Sequence, residues 1–193
     1  MSRFEKIFVN APRHAQSSIE FAERMFGHLE LHPGWKYLEV GCGAGALSLY
    51  VADKYQFEVT GTDVDPDQIK LAQKAAEGEP RIRFLAEDTT DLSFEEGQFD
   101  MVVIYNVLHH VSDWRKALME VHRVLKQGGY FIFCDLVFPQ FLVKIARSFV
   151  RKYGVTTFEE INEFLIRVGF SAIHCSKSQA HLFRGIEGIF TKR

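Results

Sequence analysis

Glu39, Gly41, Gly43 and Gly45 stand together in the stretch Y-L-E-V-G-C-G-A-G-A-L-S-L-Y-V, residues 37–51. A short run from Leu38 to Val40 stops at three alternating glycines, and an apolar-periodic stretch begins at once with Ala46, Leu47 and Leu49. That order predicts a buried strand, a tight glycine turn and the first turn of a helix. Glycine suits the turn because the backbone must bend sharply and admit a ligand with no Cβ in its way. Free amides at the start of the helix are expected to face that ligand. The chemistry implied is the holding of a nucleotide-type cofactor.

Two cofactors fit the loop alone. The spacing Gly41, Gly43, Ala46 also satisfies the relaxed dinucleotide fingerprint, in which alanine replaces the third glycine. Glu39 separates the two. A carboxylate beside the loop would repel a pyrophosphate, whereas S-adenosylmethionine offers an ammonium, a sulfonium and no phosphate. A buried acid on an otherwise apolar strand also needs a partner. Asp63 lies 22 residues beyond Gly41, close to the separation of about 20 at which a carboxylate meets ribose hydroxyls. Other side chains that could do chemistry follow later strands: Asp88, Tyr105, Asn106, His109, His110 and Asp135.

These motifs, in order, resemble the class I (Rossmann-like) S-adenosylmethionine-dependent methyltransferases, and most of all the small ubiquinone/menaquinone-biosynthesis type. The likeness covers residues 34–135 and continues more loosely to the C-terminus. E-V-G-C-G-A-G resembles the first motif of that family, and F-E-V-T-G-T-D ends in the acidic residue that holds the ribose, Asp63. Asp88, in F-L-A-E-D-T-T, resembles the residue near the adenine amino group. F-D-M-V-V-I-Y-N-V-L-H-H-V and V-L-K-Q-G-G-Y-F-I-F resemble the fourth strand and the entry to the fifth. The resemblance implies S-adenosyl-L-methionine as cofactor and S-adenosyl-L-homocysteine as product. It places Glu39, Gly41, Cys42, Gly43, Gly45, Asp63, Val64, Asp88, Thr89 and Asn106 around them. It also implies the strand order 3-2-1-4-5-7-6 with strand 7 antiparallel.

The reaction implied is an in-line displacement at the sulfonium methyl by a small-molecule acceptor, hydrophobic or aromatic in character. A good leaving group reduces the protein's task to alignment and exclusion of water. A general base is needed only for a poorly ionised nucleophile. No residue announces itself as that base; His109, His110, Tyr105, His14 and Asp135 are candidates by position. The alternatives are a binding or scaffold module that keeps the fold and cofactor without turnover, and a nicotinamide dehydrogenase.

The elements that must position these residues alternate along the chain. Ser17 with Glu20 reads as a capping box for a helix carrying Ala22, Met25, Phe26 and Leu29 on one face. Strands are expected at residues 57–61, 81–85, 100–105 and 130–134, beside the first at Leu38 to Val40. Asp65 with Pro66 opens a helix to about Glu77. Trp114, Leu118, Val121 and Leu125 share a helical face expected to end near Gly128-Gly129. Thr157 with Glu160 caps another helix, with Ile161, Phe164, Leu165 and Val168 inward. Residues 171–176 and 182–191 read as closing strands. Alternation of this kind predicts α/β architecture, a Rossmann-like three-layer sandwich around a seven-stranded, mostly parallel sheet. The ligand then belongs at the C-terminal ends of the strands.

Bulk properties agree. The 193 residues are 47% hydrophobic and 25% charged, which suits one globular domain over residues 1–193 with a substantial core, beginning with a helical segment over residues 1–33. A net charge of -2 argues against nucleic acid as a bulk partner. The start, M-S-R-F-E-K, lacks a signal peptide's apolar core, and no apolar run approaches the roughly 20 residues of a membrane span. Cys42, Cys134 and Cys175 are odd in number and form no C-x-x-C pair, consistent with reduced thiols in the cytoplasm. His28 and His32 read as a surface pair, and no metal is expected. The oligomeric state is open.

One stretch carries a second expectation. Residues 136–158 contain no acid; in helical projection Phe141, Leu142, Ile145 and Phe149 fall on one face, with Lys144, Arg147, Arg151 and Lys152 opposite or at its edge. Residues 136–156 therefore read as a lid over the acceptor, or as a surface helix packed on the core. The basic face over residues 139–153 could meet an anionic membrane surface.

Overall fold

Pro12 fixes where the first helix begins. In the computed structural model, which describes residues 10–137, 156–180 and 183–193, α1 (Pro12–Phe26) has Pro12 in its first turn and no side-chain cap at Ala11. Proline's preset φ suits that position, where its missing N–H would be unpaired anyway. Ser17 thus lies inside the helix, and the expected capping box with Glu20 does not form. Glu20 instead accepts from Gln16 Nε2 at 2.9 Å. Ala22, Met25 and Phe26 are buried as expected, Phe21 is buried beside them, and Leu29 lies past the helix end. The lid and membrane-contact expectations over 136–156 and 139–153 fall, apart from residues 136, 137 and 156, outside the described residues.

The chain divides into two compact units, residues 1–88 and 89–193. In the first, β1 (Lys36–Val40), β2 (Glu58–Asp63) and β3 (Ile82–Ala86) run parallel, with Glu39 beside Gly61 and Asp63 beside Ala86. α2 (Ala46–Tyr55) follows β1, and α3 (Pro66–Ala75) follows β2. Asp65 caps α3 as expected, its carboxylate accepting from Asp67 N at 2.9 Å with Pro66 in the first turn. Phe84 of β3 fills the space left by two missing side chains. A Cβ on Gly61 would lie 2.5 Å from its ring, and one on Gly45 would lie 2.6 Å from it. Those two glycines let α2 and the strands close on a large aromatic.

In the second unit, β4 (Phe99–Tyr105) pairs parallel with β5 (Leu125–Val137); β7 (Phe183–Lys192) pairs antiparallel with both β5 and β6 (Phe170–Ala180). Across the described residues the strand order is β3-β2-β1-β4-β5-β7-β6, the Rossmann-like order expected. α4 (Trp114–Val124) buries Trp114, Ala117, Leu118, Val121 and Val124. It passes into β5 at Leu125, so the Gly128-Gly129 pair does not end the helix as expected. The pairing shifts from Phe99–Leu125 to Met101–Tyr130, and residues 126–129 form an irregularity between them. Gly128 has φ +75°, and a Cβ on Gly129 would approach two backbone carbonyls to 2.9 Å. The pair serves a bulge instead of a helix stop. Thr157 and Glu160 form the expected reciprocal cap of α5 (Phe158–Arg167). Ile161 and Leu165 are buried, but Phe164 and Val168 are only half-buried.

Candidate functional site

The glycine loop of the first unit is bent by backbone that only glycine adopts freely. Gly41, Gly43 and Gly45 have φ of +78°, +52° and +83°. The amides of the turn itself, as distinct from those at the start of α2, are engaged. Gly41 and Cys42 both donate to Thr62 O, at 2.7 and 2.8 Å, and Gly45 donates to Cys42 O at 2.9 Å. Gly43 N–H donates to Asp63 Oδ2 at 3.0 Å. Four turn amides are thus held by the fold itself, which fixes the shape of the loop. It is a shaped floor beside two acids.

Those acids are Glu39 and Asp63, 5% and 8% exposed. Glu39 Oε2 accepts from Ser48 Oγ in the first turn of α2, at 2.6 Å. Burial raises the Glu39 carboxyl to about 7; the Ser48 bond opposes that rise and neighbouring Asp63 adds to it. Asp63 Oδ1 accepts from Asp65 N at 2.9 Å, so each of its oxygens already holds one backbone amide. A carboxylate oxygen has a second lone pair, which leaves both oxygens able to accept from a hydroxyl. Neither acid is paired with a lysine or arginine among the described residues. Two buried carboxylates without a cation are costly in isolation, which fits a site completed by a positively charged ligand.

The remaining residues fall into place around this pair or away from it. Cys42 is buried against Ile69, Ala72 and Phe84. Burial, with Glu39 and Asp63 nearby, pushes its thiol well above the ordinary range, so it packs the loop and is no nucleophile. Val64 follows Asp63 and is 67% exposed, an apolar surface left open at the end of β2. Asp88 is exposed beyond β3, and Thr89 is half-buried at the start of the second unit. His14 is half-buried on α1, and burial lowers its pKa. His28 and His32 lie beyond the end of α1, and no group of residues that could hold a metal occurs among the described residues. Sequence reasoning missed Ser48 and Phe84. Gly61, a glycine inside a strand, was the available sign that something large approaches there.

The second unit brings two expected residues into direct contact. Asp135, 1% exposed near the end of β5, accepts from Leu108 N at 2.6 Å and from Leu136 N at 2.7 Å. Its Oδ1 lies 2.6 Å from His109 Nδ1. Because a carboxylate only accepts, Nδ1 carries the proton and Nε2 is left as an acceptor in the neutral ring. His109 sits in a short 3₁₀ turn, Leu108–His110, and the exposed His110 ring lies 4.0 Å from it, centre to centre. Asn106 enters that turn with φ +56°, and its amide donates to Cys134 O at 2.8 Å. Tyr105 is half-buried at the end of β4.

Comparison with known proteins agrees with this geometry. Residues 38–133 match the family described as methyltransferase domain. The 2-methyl-6-phytyl-1,4-hydroquinone methyltransferase of Synechocystis sp. is 37% identical over 123 residues, covering 62% of this chain and 39% of that protein. An O-methyltransferase of Pyrenophora dematioidea is 28% identical over 196 residues, covering 94% of this chain and 73% of the relative. Against some of its curated relatives the chain spans well under two thirds of their length. Among solved structures, the PH0226 protein from Pyrococcus horikoshii OT3 aligns over 100% of both chains with a TM-score of 0.81 at 21% identity, a likeness of fold.

Proposed function

The chain belongs to the class I S-adenosylmethionine-dependent methyltransferases, and on that premise we propose that it transfers the methyl group of S-adenosyl-L-methionine to a small-molecule acceptor. One observation carries the proposal: Glu39 and Asp63 are buried beside the glycine turn and pair with no lysine or arginine among the described residues. The residues fit the group in kind. Glu39 would take the ammonium, Asp63 would accept from ribose hydroxyls, and Gly41, Gly43 and Gly45 would let the ligand lie against backbone. Asp88 and Val64 would contribute at the adenine end. The bound sulfonium supplies an activated methyl and a neutral leaving group. This chain's residues then have to bind, orient and keep water from the acceptor.

The hydroquinone relative supports an aromatic acceptor of the ubiquinone/menaquinone type, and one methyltransferase domain spanning residues 1–193 is part of the same reading. The buried Glu39 carboxylate beside the turn weighs against a pyrophosphate, and the named relatives weigh against a scaffold without turnover. The test is calorimetry with S-adenosylhomocysteine followed by transfer of radiolabelled methyl to a quinol panel. Binding without transfer to any acceptor would favour the scaffold, and absence of binding would remove the proposal.

A further inference from the structure

We infer that Ser48 is a positioning residue that lets Glu39 gain and lose its proton in place, so that arrival of the cofactor's ammonium group expels one proton. The inference rests on the cofactor reading above, because it says how that acid is kept ready for its ligand. Both residues lie in the first unit. Ser48, fully buried in the first turn of α2, sets its Oγ 2.6 Å from Glu39 Oε2. Gly61 lies beside Glu39 in the register of β1 and β2, and a Cβ there would stand 3.0 Å from Ser48 Oγ. The glycine therefore leaves the hydroxyl its room above the strand pair.

Hydroxyl chemistry makes the pair reversible. A serine hydroxyl offers one donor and two lone pairs, and its hydrogen rotates to suit. It accepts from the O–H of a neutral carboxyl and, after turning, donates to the ionised form, with no heavy atom displaced. A lysine in the same place would hold Glu39 ionised in the empty protein and would have to give way to the ligand's ammonium. An alanine would leave the buried acid without that partner in either form. The titratable groups that face Glu39 bring no cation. Burial keeps Tyr37, on the same strand, and Cys42, in the turn, neutral, and Asp63 at the end of β2 opposes a second negative charge. Burial accordingly raises the Glu39 carboxyl to about 7, against the hydroxyl and the amide of Ser48, which both lower it. Below that pH the empty protein carries the proton on Glu39. In the complex the ammonium faces a carboxylate, the proton has gone to solvent, and Ser48 has turned to donate.

The experiment counts protons. S-adenosylhomocysteine is titrated by calorimetry into the full chain, in buffers of different ionisation enthalpy, at about pH 6 and about pH 8. A carboxyl that titrates at about 7 in the empty protein gives release of about 0.9 proton at the lower pH and about 0.1 at the higher. Glu39→Gln should release none at the lower pH, which assigns the proton. Ser48→Ala removes a bond that favours the ionised form, so its release at about pH 8 should rise to about half a proton or more. Its affinity should fall about fivefold at about pH 7 and less than about twofold at about pH 8.5. A loss caused by misfolding would not recover with pH. Ser48→Thr, which keeps the hydroxyl, should return the release toward the wild type.

Wild type that binds without releasing a proton at the lower pH would overturn the inference. So would release retained in Glu39→Gln, or Ser48→Ala with the wild-type release and an affinity loss equal at every pH. Wild type that fails to bind S-adenosylhomocysteine would instead remove the cofactor reading, so the two failures are told apart.

Discussion

Glu39 is the residue whose titration should be visible from outside. Its carboxyl is raised from the ordinary 4.5 to about 7, chiefly by burial. The empty folded state therefore holds a proton there that the unfolded chain releases, and this raised acid makes stability fall as pH rises from about 4.5 to about 7. A cationic ligand has the opposite preference, since it favours the ionised form. Affinity for S-adenosylhomocysteine should be flat above about pH 7 and weaken by roughly tenfold per unit below it. Titration calorimetry across that range checks this, and Glu39→Gln should bind more weakly with the slope removed. A slope retained in the Gln variant would place the titration elsewhere.

The glycines of the loop divide by the same kind of reasoning. Gly43→Val should abolish cofactor binding, because it puts a β-branched side chain at φ +52° in the turn beside Asp63. Gly45→Ala should also act on the fold, costing about 1–3 kcal/mol of stability by pressing on Phe84, read as a lowered denaturation midpoint. Asp63→Ala should do both. It leaves the Gly43 and Asp65 amides without their partner and weakens S-adenosylhomocysteine by about 1.5–3 kcal/mol. Discrimination against a 2′-deoxyribose analogue should shrink with it. Unchanged discrimination would make Asp63 a strut for the loop alone.

At the scale of elements, α4 and its exit show what the sequence could and could not tell. The apolar period of Trp114, Leu118 and Val121 was legible because one face of the helix is buried, and the period records burial. Its end was not legible. The helix stops at Val124 without a glycine, and Lys192, from the last strand, donates from Nζ to His122 O at 2.7 Å and Leu125 O at 2.9 Å. That closure comes from a residue 67 to 70 positions away, which no local pattern contains. Lys192→Met should cost about 1–3 kcal/mol through the carbonyls it deprives, measured by denaturant unfolding. A neutral effect would mean that water replaces the ammonium. The same limit explains the first helix, where Ser17 and Glu20 had the right types for a cap but Pro12 had already set the start.

For the whole molecule, alternation of strands and helices forecast the architecture, and the family likeness forecast the strand order. The two buried carboxylates, Glu39 and Asp63, were legible as well, since acids at or near the ends of apolar strands stand out. The use of the loop amides was not, because hydrogen bonds from Gly41 and Cys42 to Thr62 depend on how β1 and β2 meet. The Asp135–His109 pair joins residues 26 apart that were separate candidates until the turn and β5 brought them together. The buried acids beside the glycine turn are expected to receive a nucleoside that carries an ammonium group. Side-by-side calorimetry of the wild type and Gly43→Val with S-adenosylhomocysteine and NAD tests it most directly. The expected result is binding of S-adenosylhomocysteine by the wild type alone and of NAD by neither. Binding of NAD, or equal binding of S-adenosylhomocysteine by both proteins, would contradict it.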